Sequence, residues 1–193
     1  MIVIVGLGNR GEEYKDTRHN AGRVVLDFIL KEWGMPSLVK SSRHDSLVSE
    51  GVIGGQEITV CFPNSYMNES GKTVRRLVEK DAYDRLVVVY DDVDLPFGEF
   101  KIAFGRGDGG HNGLASVIKE LGSKDFIRIR IGIAPRSFFG NILRPEGEKL
   151  AAYVLGLLTK RERAKLEALA PSVKEALEVI IKDGKDVAMN RFN

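Results

Sequence analysis

The chain has 193 residues, of which 43% are hydrophobic and 29% are charged, and its formal net charge at pH 7 is +2. These values are typical of a single globular domain with a sizeable core, and they exclude a disordered or fibrous chain. The small net charge means that a polyanionic partner would need a local basic patch.

Cysteine content and hydropathy bear on the compartment. The single cysteine, Cys61, excludes an intrachain disulfide and favours a reducing compartment, and its apolar neighbours predict an inert core residue. No signal peptide precedes the first predicted strand, and no apolar run reaches the roughly 18 residues of a membrane span. We therefore expect a cytoplasmic protein without membrane contact.

Strand and helix patterns alternate along the chain. Apolar periodicity predicts strands at 2–6, 46–52, 57–62, 86–90, 100–104 and 126–133, and helices at 21–33, 68–80, 149–158 and 160–183. A further helix is expected after His111-Asn112-Gly113, ending at Leu121. Asn20 is the expected N-cap of the first helix, and a break is expected near Pro171 in the last. Uniformly apolar strands beside a hairpin and alternating strands predict a mixed sheet.

The predicted fold is thus α/β, a single domain over residues 1–193 with a mixed, twisted β-sheet flanked by helices. Residues 134–158 are expected to form a loop and a lid over the cleft, and residues 159–184 a C-terminal helix packed on the outside.

The first strand runs into a glycine-rich turn that imitates a dinucleotide-binding motif. Gly6, Gly8 and Gly11 satisfy the G-x-G-x-x-G pattern. A dinucleotide site needs a helix that starts inside the glycine run, whereas helical spacing here begins only at Val24. We therefore reject a dinucleotide site and expect the polar side chains of this turn to contact a ligand.

Polar side chains cluster where the predicted strands end. Asn9 follows the first strand and Asp91 follows the strand 86–90, and His19 leaves the same turn as Asn9. If the two strands are parallel, these side chains meet at one edge of the sheet. A histidine oriented by a carboxylate can take a proton from water, and nearby amides can stabilise an oxyanion, so the set is typical of a water-activating hydrolase.

Each of these residues also has a simpler interpretation. His19 could be an ordinary loop histidine, and the three carboxylates Asp91, Asp92 and Asp94 could be turn formers or hold Mg²⁺. The glycine loop 105–110 could be a phosphate nest or only a connection between a strand and a helix.

Five sequence blocks occur in order between residue 2 and about residue 133. They are Gly6-Leu7-Gly8-Asn9 through Thr17-Arg18-His19-Asn20-Ala21-Gly22, Tyr66-Met67-Asn68 through Gly71, Asp91-Asp92-Val93-Asp94-Leu95-Pro96, Gly109-Gly110-His111-Asn112-Gly113, and Arg128-Ile129-Arg130-Ile131-Gly132. Together they resemble the signature of the bacterial peptidyl-tRNA hydrolases.

The resemblance implies cleavage of the ester bond that joins a peptide, or an N-blocked amino acid, to the terminal ribose of tRNA. By matching position, His19 would be the general base, Asp91 its orienting carboxylate, and Asn9 a residue that helps to place the substrate. The resemblance extends substrate or tRNA binding to Tyr14, Tyr66, Met67, Asn68, His111, Asn112 and Arg130. It implies no metal, no cofactor, peptidyl-tRNA as the partner, no obligate protein partner, and a monomer.

The chain departs from the family pattern at the expected clamp for the 5′ phosphate of tRNA. The family often has a basic residue where this chain has Ala103, and that residue pairs with the counterpart of Arg130. Our hypothesis is that Lys101 or Arg106 takes over, because both lie close to Ala103 in sequence. Asp108 also puts a negative charge beside this anion site.

Two other functions remain open at this point. The same scaffold could bind RNA without cleaving it, as in family relatives that act as organelle splicing factors, although a pure binder has no need of His19. A Mg²⁺-dependent phosphohydrolase could use the three carboxylates after the strand 86–90, and it would lose activity in excess chelator.

Overall fold

A computed structural model describes residues 1–80, 82–137 and 140–193. The described residues form seven strands: β1 (Ile2–Gly6), β2 (Val39–Ser41), β3 (Ser46–Ile53), β4 (Gln56–Pro63), β5 (Leu86–Pro96), β6 (Phe100–Phe104) and β7 (Ile127–Ala134). They also form six α-helices: α1 (Ala21–Glu32), α2 (Ser70–Leu77), α3 (Asn112–Leu121), α4 (Glu148–Val154), α5 (Lys160–Asp183) and α6 (Lys185–Phe192). Residues 138 and 139 of the predicted loop lie outside the described residues.

The strands form one sheet in the order β2-β3-β4-β1-β5-β7-β6. Neighbouring strands from β4 through β1 and β5 to β7 are parallel, while β2, β3 and β6 add antiparallel pairs at the two sides. The predicted mixed sheet is confirmed. The central pair β1 and β5 is parallel, so both strands end at the same edge, as the sequence required for a shared site.

Helices cover both faces of the sheet because the central strands are apolar on both sides. Ile4 and Val89 face a core that includes α1, α5 and α6, whereas Val5 and Val88 face a second core with α2 and α3. Cys61 is buried in the second core, and burial raises the pKa of its thiol to about 12, which fits the predicted inert residue.

The expected helix break near Pro171 is wrong. The helix α5 runs without interruption from Lys160 to Asp183. Proline removes one backbone hydrogen bond, but Ala170 and Val173 on either side are fully buried in the core beside α1. Packing of this apolar stripe therefore outweighs the lost hydrogen bond.

The expected N-cap role of Asn20 is also wrong. No side-chain hydrogen bond caps α1, which continues directly from a 3₁₀ turn at Arg18–Asn20. The side chain of Asn20 instead accepts a hydrogen bond from the backbone N–H of Asn9 at 2.8 Å and donates one to the carbonyl of Asn9 at 3.0 Å. It ties the loop after β1 to the start of α1.

Several element ends differ from the sequence prediction. The helix α2 ends at Leu77 because Val78 turns to an extended conformation with its side chain buried. The strand β5 continues to Pro96, beyond the apolar run that predicted it. The helix α4 ends at Val154, four residues early, because Leu157 pairs in extended form with Thr17.

Two elements, β2 and α6, were not predicted from the sequence, and α6 packs against the edge strand β6. The side-chain amide of Asn193 accepts a hydrogen bond from the backbone N–H of Ile102 at 2.8 Å and donates one to its carbonyl at 2.9 Å. This contact satisfies backbone groups on an edge strand, which otherwise invite pairing with other chains. Among the described residues, no helix has the length and apolar character needed to cross a membrane.

Candidate active site

The loop after β1 is tied to α1 by a half-buried arginine. Arg23 on α1 donates hydrogen bonds to the carbonyls of Gly6 at 3.2 Å, Asn9 at 3.0 Å and Pro63 at 2.6 Å. Burial lowers the pKa of Arg23 to about 10. These contacts connect the ends of β1 and β4 to α1, which carries the loop of His19. Arg23 was not among the predicted site residues, because no local sequence pattern distinguishes it from a surface arginine.

A close approach of α1 to β5 brings the two predicted catalytic residues together. A Cβ atom at Gly22 would lie 2.5 Å from the carbonyl oxygen of Val89, so only glycine allows this approach. His19, three residues earlier, reaches Asp91 directly: its Nδ1 lies 2.9 Å from Oδ1 and 3.0 Å from Oδ2 of the carboxylate. Both side chains are buried, and the sequence-predicted pair forms one unit.

The surroundings shift the pKa values of both His19 and Asp91. Burial by itself would lower the pKa of His19, but the charge and the hydrogen bond of Asp91 outweigh it and raise the pKa above its ordinary value. Burial would raise the pKa of Asp91, but the two neighbouring imidazoles, of His19 and His111, hold it well below its ordinary range. The carboxylate therefore stays ionised and fixes the orientation of the His19 ring.

His111 is the second imidazole on this carboxylate. Its Nε2 lies 3.0 Å from Oδ1 of Asp91, and its Nδ1 accepts a hydrogen bond from the backbone N–H of Leu114 at 3.1 Å. His111 is thereby the N-cap of α3 and a partner of Asp91 at the same time. The predicted role of His111 in binding substrate remains untested.

The cluster of His19, Asp91 and His111 has the composition of a metal site, with one ligand atom of each residue within 4.8 Å of the others. The hydrogen bond from Leu114 argues against a metal there. A neutral imidazole that binds metal through Nε2 carries its proton on Nδ1, but Nδ1 of His111 is an acceptor. Metal binding would have to break this helix cap.

Asn9 presents its amide NH₂ group to the site. Its side-chain oxygen accepts a hydrogen bond from the backbone N–H of Met67 at 2.8 Å, which fixes the orientation of the amide. Within the described residues, the Nδ2 atom of Asn9 has no protein partner, and Asn9 lines the adjoining cavity. The arrangement leaves a donor free for a substrate carbonyl.

A cavity of about 910 Å³ adjoins this cluster. Of the predicted site residues, it is lined by Asn9, His19, Met67, Asn68, Asp91, Lys101, Arg106, His111, Asn112 and Arg130. Tyr14 and Tyr66 are placed elsewhere: their rings pack edge to face 6.4 Å apart, with the guanidinium of Arg10 over the ring of Tyr66. The structure thus gathers ten predicted residues around one cavity and puts the tyrosine pair outside it.

Comparison with known proteins agrees with this geometry. The family model described as Peptidyl-tRNA hydrolase matches residues 3–193. The chain belongs to the peptidyl-tRNA hydrolase family.

Relatives in this family match over the full length. The chain is 39% identical to the peptidyl-tRNA hydrolase of Thermodesulfovibrio yellowstonii, with 100% of this chain and 99% of the relative covered. It is 40% identical to that of Fervidobacterium nodosum, with 100% and 96% covered. The crystal structure of peptidyl-tRNA hydrolase from Acinetobacter baumannii is similar with a TM-score of 0.85 at 27% identity, covering 100% of this chain and 94% of that one.

The cation that lies opposite Arg130 in the sheet is at a different position from the one expected from the family pattern. In the antiparallel pairing of β6 and β7, Lys101 lies opposite Arg130, and Ala103 lies opposite Arg128. Arg130 is partly exposed and donates from Nε to Asp92 at 2.7 Å, and its pKa is raised because the hydrogen bond and charge of Asp92 outweigh burial. Lys101 is exposed and faces the same cavity. The geometry favours Lys101 as the partner of Arg130.

Arg128 on β7 stabilises the glycine loop 105–110 through hydrogen bonds. Its buried guanidinium donates to the carbonyls of Gly107, at 2.6 Å, and of Arg106. Asp108, whose charge had no explanation from the sequence, accepts a hydrogen bond from the backbone N–H of Gly110 at 2.8 Å, and its carbonyl accepts one from the N–H of His111 at 3.0 Å. Asp108 therefore shapes the turn that leads into α3.

The three carboxylates in the second half of β5 do not converge on one point, as a Mg²⁺ site would require. Asp91 faces the two histidines, Asp92 binds Arg130, and Asp94 forms an ion pair with Arg144 at 3.0 Å. Arginine partners occupy the two carboxylates that would have to bind the ion. The alternative of a Mg²⁺-dependent phosphohydrolase is not favoured.

The predicted lid segment borders the cavity. Leu150, Ala151 and Val154 of α4 line it, and none of the residues of α4 is buried. The role of this segment as a lid stays a prediction.

Proposed function

We propose that this chain hydrolyses the ester bond between a peptide, or an N-blocked amino acid, and tRNA, and so returns free tRNA to translation. The observation that carries the proposal is the buried hydrogen bond between Nδ1 of His19 and the carboxylate of Asp91 at the wall of the cavity. With Nδ1 taken by the carboxylate, Nε2 remains to act as a base toward water.

In the proposed reaction, Nε2 of His19 removes a proton from a water molecule while the water oxygen attacks the ester carbonyl carbon. The resulting tetrahedral intermediate collapses with cleavage of the bond between that carbon and the ribose oxygen. The imidazolium of His19 returns its proton to the leaving ribose oxygen, and the products are a peptide with a free carboxyl group and tRNA with a free terminal hydroxyl. Asp91 stabilises the imidazolium in between and is not itself protonated.

Three amide side chains support placement of the acyl group. Asn9 offers its fixed NH₂ group, and Asn68 and Asn112 are exposed side chains in the cavity wall. Amide donors aimed at a carbonyl oxygen stabilise the negative charge that develops on it in the transition state. We assign Asn9 to placement of the substrate carbonyl, and Asn68 and Asn112 to the peptide backbone, the tRNA terminus and the oxyanion.

The cations at the cavity rim support binding of a tRNA phosphate. Lys101 and Arg130 lie opposite each other, and Arg106 is exposed on the adjoining glycine loop. A guanidinium and an ammonium group that lie opposite each other can bind a phosphate together. The hydrogen bond to Asp92 holds the guanidinium of Arg130 in place for this contact. We also propose that the chain acts as a monomer in the cytoplasm, without a metal or cofactor.

The decisive experiment replaces His19 with alanine and measures both hydrolysis of N-acetyl-aminoacyl-tRNA and binding of tRNA. Hydrolysis is expected to fall by about 10²–10⁴-fold, the usual worth of a positioned general base, with binding retained. His44→Ala is the matched control, because His44 contacts Ser41 and does not line the cavity. Unchanged hydrolysis by His19→Ala would contradict the proposal, and a wild-type protein that binds tRNA without cleaving it would favour the RNA-binding alternative.

A further inference from the structure

The carboxylate of Asp91 is shared between two imidazoles. Its Oδ1 atom lies 2.9 Å from Nδ1 of His19 and 3.0 Å from Nε2 of His111. The ring of His111 lies 5.0 Å from the ring of His19 and 5.0 Å from that of Tyr90, centroid to centroid. His19, Asp91 and His111 are therefore coupled, because a change in one hydrogen bond of the carboxylate alters its other hydrogen bond.

The backbone determines which nitrogen of His111 carries the proton. The N–H of Leu114 points at Nδ1, so Nδ1 must be the unprotonated acceptor of the ring. The proton of the neutral ring then resides on Nε2, and His111 donates it to Asp91. Because the same ring caps α3, the first turn of that helix sets both the tautomer and the position of this donor.

We propose that His111 is a positioning residue, which orients the carboxylate of Asp91 by donating to it and, by sharing that carboxylate, limits how strongly it holds the proton on His19. This inference rests on the proposed roles of His19 and Asp91. A hydrogen bond to a carboxylate disperses its charge, so the carboxylate stabilises a neighbouring imidazolium less. His19 can then release its proton to the leaving group.

The contacts of His111 leave no obvious group for a substrate. Both ring nitrogens are engaged, and the side chain is only 9% exposed. Its neighbour Asn112 is exposed in the cavity wall. The two adjacent residues therefore have different roles: Asn112 faces the cavity where the substrate would bind, and His111 contacts Asp91 of the His19–Asp91 pair.

Other charged groups near His19 are directed elsewhere. Arg18, the preceding residue, turns its guanidinium to the carboxylate of Glu162 and to the carbonyl of Tyr153 near the end of α4. On β5, Tyr90 packs against His111, and Asp92 binds Arg130. Besides burial, the proton affinity of His19 therefore depends on Asp91 and, through the shared carboxylate, on His111.

The test separates the hydrogen bond to Asp91 from the helix cap. His111→Asn keeps a capping acceptor for Leu114 but is too short to reach Asp91, whereas His111→Phe fills the ring volume and removes both contacts. In each variant, the acidic limb of the pH profile of kcat/KM is expected to move up by about 0.5–1 pH unit, because Asp91 holds the His19 proton more tightly. KM for N-acetyl-aminoacyl-tRNA should stay near the wild-type value.

A second measurement does not depend on catalysis. The chain has three histidines, so the double variant His44→Ala/His111→Asn leaves His19 as the single histidine, and its titration can be read by NMR without assignment. The reference is His44→Ala, in which the His19 signal is identified as the one that is still present after His111 is replaced. An upward move of the His19 titration relative to this reference supports the proposal even if the general-base role of His19 fails in the His19→Ala assay. A titration midpoint and a pH profile that stay in place, with a raised KM, would overturn it and return His111 to substrate binding.

Discussion

Arg18, the residue directly before His19, is bound to Glu162 by two hydrogen bonds of 3.0 Å each. The carboxylate of Glu162 also accepts a hydrogen bond from the backbone N–H of Thr159 at 2.7 Å and so completes the capping box of α5. The guanidinium of Arg18 lies over the ring of Tyr153, 4.6 Å from its centroid. The loop that carries His19, the end of α4 and the start of α5 are therefore joined at one point.

We expect Glu162→Gln to destabilise the fold by about 1.5–3 kcal/mol, the range for a hydrogen bond to a charged group, because a partly buried guanidinium loses its counter-charge while the cap is retained. Urea unfolding measures the loss. The control is Glu175→Gln, which breaks the half-exposed pair with Arg191 and should cost no more than about 1 kcal/mol. Equal losses in the two variants would show that the Arg18 contact is an ordinary surface pair.

Asn9 offers a second test, because its oxygen and its NH₂ group have different partners. Asn9→Asp keeps an acceptor for the N–H of Met67 but removes the donor that faces the cavity and adds a negative charge. We expect kcat/KM to fall by about ten- to a hundred-fold, the worth of one hydrogen bond to a charged group. Full activity of Asn9→Asp would exclude a role of this NH₂ group in placing the substrate.

The phosphate clamp can be tested through the salt dependence of tRNA binding. Lys101→Ala is expected to reduce the slope of log K against log[salt] by about 1, since one phosphate contact is lost, and Arg106→Ala should do the same if it shares the contact. Lys119→Ala is the control, because Lys119 is exposed on α3 and does not line the cavity. An unchanged slope in the Lys101→Ala/Arg106→Ala double variant would remove both residues from the clamp.

The parts of the site that local sequence patterns determine could be predicted. The apolar runs of β1 and β5 indicated central strands, and parallel strands place their ends together, so Asn9, His19 and Asp91 were expected to meet, as the structure shows. The glycine pattern alone would have suggested a dinucleotide site, and only the late start of α1 excluded it.

The parts that depend on long-range contacts could not be predicted. Asn20 has the sequence position of a helix cap, but its amide pairs with the backbone of Asn9, eleven residues earlier. The contact of Asn193 with Ile102 spans 91 residues, and no local pattern indicates it. For His111, the motif indicated importance, but its contact with Asp91 requires the register of two separate elements.

The pH dependence of catalysis tests the contact between His19 and Asp91. In the wild-type protein, the base form of His19 is required, and Asp91 raises its pKa above the ordinary value, so the acidic limb of kcat/KM should have its midpoint above about pH 6.5. In Asp91→Asn, burial remains but the negative charge is gone. The pKa of His19 should then fall, and the limb should move to lower pH, while the plateau drops by about 10²–10⁴-fold because the imidazolium and the tautomer lose their support.

The control for this profile is Asp94→Asn, which removes a nearby carboxylate that is half exposed and paired with Arg144. Its acidic limb should coincide with that of the wild type, because a screened surface charge has little effect on a buried ring. If both variants moved the limb equally, the general field of the acidic strand end would set the pKa of His19. If neither did, the ionisation seen in the profile would belong to a group other than His19, and the proposed base would have to be reassigned.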